Sequence, residues 1–374
     1  MTLNQTKDRE KFHENPEPKW KRMPLPEGVF DPRGAQAEVS VTAFGRGTEV
    51  IRFEEAVSSG FMREEWLLEN RLKAHLGEGV LHYVNGYYTQ GYAIRSKAQK
   101  SPDPSDIPVV RVEVGLDGEK TLHVANNLIV AEDGCALTVV MDYSKVTDAG
   151  KARHLGITRL IAGRGARVTL FKIQRTGLSD AFIDQTFLQV EEGAEVHVVD
   201  VQLGGQFRGV NYSADLVGRR SKATVNALYL GGPEQRMDLS YTMRHIGALS
   251  ESEILSKGAL NANAQKVFRG NLLFEKGSVQ SVGREHEAVM LLDERAHSES
   301  IPALLCAEDD VVGEHAASVG RMDQEKLFYL MSRGLTPEAA KKLVVKAAFE
   351  SVLAEVETVG LRTAVESIID RRLS

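Results

Sequence analysis

The chain has 374 residues, 42% apolar and 26% charged, with a formal net charge of −6. That length buries a substantial core, in one large domain or two to three smaller ones. The acidic balance argues against non-specific binding to nucleic acid or to an anionic membrane, and no apolar run approaches the roughly 20 residues of a membrane span. The two cysteines, Cys135 and Cys306, cannot build a disulfide framework or a zinc ribbon. The N-terminal stretch lacks the apolar core of a secretory signal, so a reducing, cytoplasmic setting is expected.

Residues 1–31 are polar and Pro-rich, with Trp20 as a candidate anchor. Pro restricts its own φ and the residue before it, so an extended or loosely docked arm is expected. Alternation follows over 35–64, through Val39, Val41, Phe44, Val50, Ile51 and Phe53. Residues 63–76 then predict a short amphipathic helix with Trp66, Leu67, Leu72 and Leu76 on one face and Gly77 at its end. Residues 1–80 are thus expected to form an arm and a mixed, partly helical region.

From about Val80 to Leu305 short runs alternate apolar and polar residues between Gly, Asp and Asn. Examples are V-V-R-V-E-V-G (109–115), A-R-V-T-L-F-K-I (166–173) and A-E-V-H-V-V-D-V (194–201). Period 2 marks half-buried strands. The runs also recur: Ala166-Arg167-Val168, Ala194-Glu195-Val196 and Ala223-Thr224-Val225 stand 28 and 29 residues apart, the first two after Gly165 and Gly193. A period of that size predicts a solenoid whose coils must stack to bury their apolar faces; a β-sandwich is the competing fold.

After Gly320 the period becomes helical. Asp323 is a candidate N-cap, Leu327, Leu330 and Met331 repeat at helical spacing, and Gly334 sits where a left-handed C′ residue is wanted. Thr336-Pro337-Glu338 predicts a second helix start, running to about Val356. Leu361, Val365, Ile368 and Ile369 mark a third helix. Their apolar stripes are expected to cap the solenoid end, to accept a partner, or both.

The candidate metal ligands are Glu285-His286-Glu287, His297, Glu299, Cys306, Glu314 and His315. On a strand, i and i+2 share a face, so Glu285 and Glu287 project together with His286 opposite, and Glu314 and His315 face opposite ways. Imidazole with carboxylate or thiolate suits iron or zinc, but no compact C-x-x-C or H-E-x-x-H spacing is present. Cys306 ends an apolar run and reads as a small core residue; Glu308, Asp309 and Asp310 read as a solvated turn. There is no G-x-x-x-x-G-K-[ST] and no G-x-S-x-G. Gly163-Arg164-Gly165 is a turn, not a dinucleotide fingerprint, because no helix follows it.

The tail resembles the SufB/SufD family of iron–sulfur cluster assembly proteins. The residues that carry this are M-L-L-D-E-R-A-H-S-E-S-I-P-A-L (290–304), A-E-D-D-V-V-G-E-H-A-A-S-V-G (307–320) and D-Q-E-K-L-F-Y-L-M-S-R-G-L (323–335). V-F-R-G (267–270) and the serine-rich segment after His245 extend it more weakly. The resemblance implies a mainly β fold: a right-handed parallel β-helix over 81–320, flanked by a helical N-terminal region and a helical C-terminal domain over 321–374. It also implies a non-enzymatic scaffold that pairs through β-helix ends with a SufB-like paralogue or a second copy, and that carries a SufC-like ABC ATPase. By carry-over, Leu327, Phe328, Tyr329, Leu330 and Arg333 would hold that ATPase. Glu287 falls at the cysteine position of SufB proteins. Gly313 falls at the cysteine and His315 at the histidine of SufD proteins, and Glu314-His315 resembles the E-H of SufB. With neither cysteine kept, a persulfide-accepting role for position 287 is excluded. His315, Glu314 and Glu287 are the expected ligands of a transient iron–sulfur cluster or iron at the subunit interface, with no tightly bound cofactor expected. The alternative is a purely structural partner that binds no metal. A polysaccharide-active β-helix enzyme would need a groove of Asp and Arg or Lys along one face and usually a secretory signal.

Overall fold

The computed structural model describes residues 37–63, Trp66, 78–97, 107–117, 121–145 and 150–373. The expected arm with Trp20, and all of the expected helix 63–76 except Arg63 and Trp66, lie outside these residues. In chain order the first elements are β1 (Glu38–Phe44), β2 (Thr48–Arg52), α1 (Phe53–Ser58), α2 (Glu78–Tyr87), β3 (Tyr92–Ser96), β4 (Val109–Gly115), β5 (Leu122–Ala131), β6 (Ala136–Ser144) and β7 (Arg153–Ala162). The body continues with β8 (Arg167–Arg175), β9 (Ala181–Val190), β10 (Glu195–Gln202), β11 (Phe207–Leu216), β12 (Lys222–Gly231), β13 (Arg236–His245), β14 (Glu251–Leu260), β15 (Gln265–Phe274) and β16 (Ser281–Leu291). The last elements are β17 (His297–Ser300), β18 (Ala303–Cys306), β19 (Val311–Arg321), α3 (Gln324–Ser332), α4 (Pro337–Glu357) and α5 (Arg362–Arg372).

Successive strands alternate between two sheets. One runs β1-β4-β6-β8-β10-β12-β14-β16-β19; the other runs β2-β3-β5-β7-β9-β11-β13-β15-β17, with β18 also on β15. Pairing is parallel throughout except for β1 with β4 and β2 with β3. This is the expected parallel β-solenoid, of about seven turns. Two corrections concern the N-terminal part. Helix α1 begins at Phe53, where alternation predicted strand, and α2 occupies Glu78–Tyr87, where the strands were expected to begin. In both, a few apolar residues beside polar ones fit either period, and the decision comes from packing: Val80, Tyr83 and Val84 bury against the outer face of β5, β7 and β9.

One corner of each coil explains the recurring glycines. Gly134, Gly165 and Gly193 hold φ of +71°, +66° and +64° just before β6, β8 and β10. Their N–H groups donate to Arg164, Glu192 and Arg219 carbonyls of the next coil at 2.8, 2.8 and 2.9 Å. Further along, Arg220, Leu249 and Gln280 take the same left-handed conformation and make the same coil-to-coil bond to Ala248, Val279 and Asp310. The corner is therefore set by stacking, and glycine is only its least strained occupant.

The interior between the sheets is apolar along most of its length but holds a file of buried polar groups. His123 and His154 meet Nδ1 to Nδ1 at 2.9 Å, and His154 Nε2 meets Asp184 at 3.1 Å. Lys172 donates to Asp184, Thr158 and Thr186. Burial alone would raise Asp184, but Lys172 and His154 outweigh it and hold the carboxyl at about 2. Further along, Asp200 accepts from Tyr212 at 2.9 Å and Tyr241 at 3.0 Å, and burial lifts it to about 6.

The C-terminal helices do not cap the solenoid end, as their apolar stripes had suggested. Helices α4 and α5 lie across the outer face of the first sheet. Val345, Phe349, Val352, Leu353, Val356, Val365 and Ile369 bury there against Phe171, Ile173, Val199, Val201, Leu228 and Leu230. His197 and Asn226 both bond the Glu355 carboxylate, and Lys341 reaches Asn261 at 3.1 Å. Among the described residues, nothing covers the end of the solenoid.

Candidate functional site

The last coil is built from β17, β18 and β19. Strand β19 pairs in parallel with β16, Ser281 opposite Val311 through Leu291 opposite Arg321. It is the outermost strand of its sheet, and β17 and β18 end the other one. Ser281, Gly283, Glu285, Glu287 and Val289 of β16 are buried, with half-buried or exposed residues between them. The same alternation on β19 would bury Gly313, His315 and Ala317, but among the described residues no further coil covers them, and the strand is exposed for most of its length. Two strand edges carrying unused N–H and C=O groups therefore meet solvent. Beside them lie exposed apolar side chains: Ile301, Leu304, Leu305 (61% exposed), Val312 and Val319. Cys306 corrects an expectation. It is exposed rather than core, because among the described residues no further rung covers an inward residue there.

The expected ligands are placed very differently from one another. Glu287 is fully buried; its carboxylate accepts from Lys266 Nζ, from Tyr229 Oη at 2.9 Å and from Ser300 Oγ. Glu314 lies on the outer face, exposed, and meets Arg284 Nε at 3.1 Å. His315 lies on the inward row of the last coil and is exposed. As alternation predicted, Glu314 and His315 face opposite ways, Glu285 and Glu287 point inward together, and His286 points out. The structure therefore does not gather Glu287, Glu314 and His315 into one site. Among the described residues no group of three or more His, Cys, Asp or Glu side chains is placed to hold a metal ion.

Glu285, a candidate from the alternation but not among the expected ligands, lies in the interior. Glu285 is 2% exposed, and neither carboxylate oxygen has a hydrogen-bond partner. Burial, then the neighbouring Glu287 charge, lift it to about 7, with Lys266 opposing. Lys266 itself carried no signal in the sequence, since a lysine in an alternating run reads as an outward residue.

Helix α3 leaves the end of β19. Asp323 caps it as expected, accepting from the Glu325 and Lys326 N–H groups at 3.0 and 3.2 Å, and Gly334 holds φ +96°. None of its residues is buried. Leu327 and Leu330 are half-buried, whereas Phe328 is 73% and Tyr329 57% exposed, with Arg333 over the Tyr329 ring at 5.3 Å. Helix α3 therefore presents two neighbouring aromatic side chains to solvent.

Comparisons with known proteins identify the family. Residues 114–348 match the family model for the SUF system FeS cluster assembly SufBD core domain. The iron–sulfur cluster assembly protein SufD of Bacillus subtilis is 30% identical over 273 residues, 72% of this chain and 61% of that protein. SufD of Escherichia coli is 27% identical over 338 residues, 89% of this chain and 77% of that protein. A SufBD family protein of Mycobacterium leprae is 26% identical over 67% of this chain but only 29% of its own length. The match over most of the solenoid and the leading part of α4, together with the SufD relatives, places the chain in the SufB/SufD family of iron–sulfur cluster assembly proteins, close to SufD.

Proposed function

We propose that this chain is a non-enzymatic scaffold subunit that works in the cytoplasm. Its open solenoid end joins the end of a SufB-like paralogue or of a second copy, and α3 docks a SufC-like ABC ATPase. The observation that carries this reading is the pair of uncovered strand edges on the last coil, flanked by exposed Leu305 and Val312. An unpaired, apolar edge of this length is a template for strand pairing, and two such ends placed edge to edge would remove both. Iron, or an iron–sulfur cluster, is then cargo at the joint, with His315 as this chain's ligand. ATP-driven movement on α3 would reach the joint directly, since only Met322 and Asp323 separate α3 from β19.

Co-expression with a SufB-like protein and a SufC-like ATPase tests the assembly. Leu305→Lys with Val312→Lys is expected to yield a folded subunit that no longer pairs, read as native mass. Phe328→Ala with Tyr329→Ala is expected to keep the pair and release the ATPase. If the charged edge variant assembles like the wild type, the edges are not the joint. A second reading, a structural partner that touches no metal, draws on the engagement of Glu287 with Lys266 and of Glu314 with Arg284. Anaerobic reconstitution of the complex with iron and sulfide separates the two, because only the cargo reading has His315→Ala lower cluster yield.

A further inference from the structure

The first rungs of the solenoid hold a cleft, at the far end from the last coil. Its walls are the junction of β2 with α1 and the stretch that leads into β3, and Arg52, Phe53, Glu54, Tyr88, Gln90 and Tyr92 line it. Counted to its mouth, its empty volume is about 410 Å³, within the range of small-molecule sites.

Both walls are fixed. The Phe53 N–H donates to the Gly91 carbonyl at 2.9 Å, and the buried Phe53 ring meets Tyr88 edge to face at 5.3 Å. The Thr89 and Gln90 N–H groups donate to the Val124 carbonyl at 2.9 and 3.2 Å, and the Tyr92 N–H donates to Asn127 Oδ1 at 3.1 Å. Gly91 lies so close to β5 that a Cβ there would come within 1.9 Å of the Asn126 carbonyl oxygen, so glycine is what lets this wall sit where it does. A cleft formed in advance costs a ligand little reordering of the protein.

The fold leaves the polar groups of this cleft unused. Among the described residues the Arg52 guanidinium and the Glu54 carboxylate have no ion-pair or hydrogen-bond partner, and both side chains are exposed. Gln90 Oε1 is buried without a partner, although its Nε2 donates to the Ala37 carbonyl at 2.8 Å. Burial, and after it the Glu54 charge, raise the Tyr88 phenol. A cation and an anion two residues apart, beside a buried carbonyl oxygen, call for a ligand that carries both signs. The half-buried Val39, Tyr88 and Tyr92 offer its apolar part a surface. We propose that this cleft binds a small zwitterion of the α-amino-acid class, its carboxylate against Arg52, its ammonium against Glu54 and Gln90 Oε1, and an apolar side chain against the tyrosines. The guanidinium fork matches a carboxylate, and bonds between charged groups are the stronger kind.

The test is calorimetric titration of the full chain with L-phenylalanine as probe, and with hydrocinnamate and phenethylamine, which lack its ammonium and its carboxylate respectively. L-phenylalanine is expected to bind saturably with a Kd below about 1 mM, and each analogue at least about tenfold more weakly. Arg52→Ala is expected to weaken L-phenylalanine at least about tenfold and to leave phenethylamine unchanged. Glu54→Gln is expected to weaken L-phenylalanine similarly and to leave hydrocinnamate unchanged. Both side chains are exposed, so both variants are expected to melt with the wild type. Absence of L-phenylalanine binding up to about 10 mM overturns the proposal, as does an analogue that binds the wild type as tightly as the zwitterion. A folded variant that binds L-phenylalanine like the wild type overturns it too. The analogue series on the wild type decides the outcome even if a variant loses its fold.

Discussion

Glu287 and Lys266 bury opposite charges against each other with their side chains fully out of water. Removing one partner strands the other, so Glu287→Ala is expected to cost about 3–5 kcal/mol, measured as the shift in a urea unfolding midpoint. A cost of that size would mark Glu287 as a structural residue, although its place in the alternating row resembles that of a ligand. His245 is a second residue whose role is internal: its two ring nitrogens meet the Ser250 and Ser252 hydroxyls, each at 2.8 Å. Burial lowers it to about 4. Unfolded histidine titrates near 6.5, so below that pH the unfolded chain binds the proton more readily. The His245 contribution, roughly 3 kcal/mol, is present above pH 6.5 and lost as pH falls toward 4. Asp200 and Glu285, raised to about 6 and about 7, act in the opposite sense, their stability declining as pH rises through those values. Comparing wild type with His245→Asn by thermal melts between pH 4 and 7.5 isolates the histidine: the gap between the two is expected to narrow toward acid.

At the level of the element, the coil corner is the repeated unit. Gly165 has φ +66° and nothing within 4 Å of the position a Cβ would take, so Gly165→Ala tests backbone conformation alone. A destabilisation of about 1–2 kcal/mol is expected, read by chemical denaturation, while the same substitution at the non-left-handed Gly320, also open, should cost less. The helices show how far local sequence reaches. Asp323, Gly334, Thr336 and Pro337 set the starts and stops of α3 and α4 through their own backbone and side-chain chemistry, and each was readable as such. Where α4 and α5 would lie was not readable, because an apolar stripe does not name the surface it covers. That surface is the first sheet, and Phe349 is buried at its centre. Phe349→Ala is expected to cost about 3–5 kcal/mol and to appear first as faster amide exchange in α4 and α5, with the solenoid strands still protected.

For the whole molecule, the solenoid and its approximate period were legible because coils of similar length must place β-branched and small residues at similar intervals. The registration between coils was less so. Ala166 and Ala194 do share a register, with Arg167 opposite Glu195, but Ala223 is opposite Val196, not Ala194. A slip of two residues keeps every side chain on its face, so alternation cannot detect it; only the ladder hydrogen bonds decide. The same limit governed the site. By itself the sequence determined that Glu285 and Glu287 face one way and His286 the other, that Glu314 and His315 diverge, and that the family's cysteines are missing. All of these follow from local period and identity. The tertiary structure alone decided that Glu287 is consumed by a lysine 21 residues earlier, that Glu285 is left unpartnered beside the rung of His315, and that Cys306 and His315 lie on an uncovered rim. Those are facts about which coil is last and which side chain lies across the interior, and they exist only once the chain is wound.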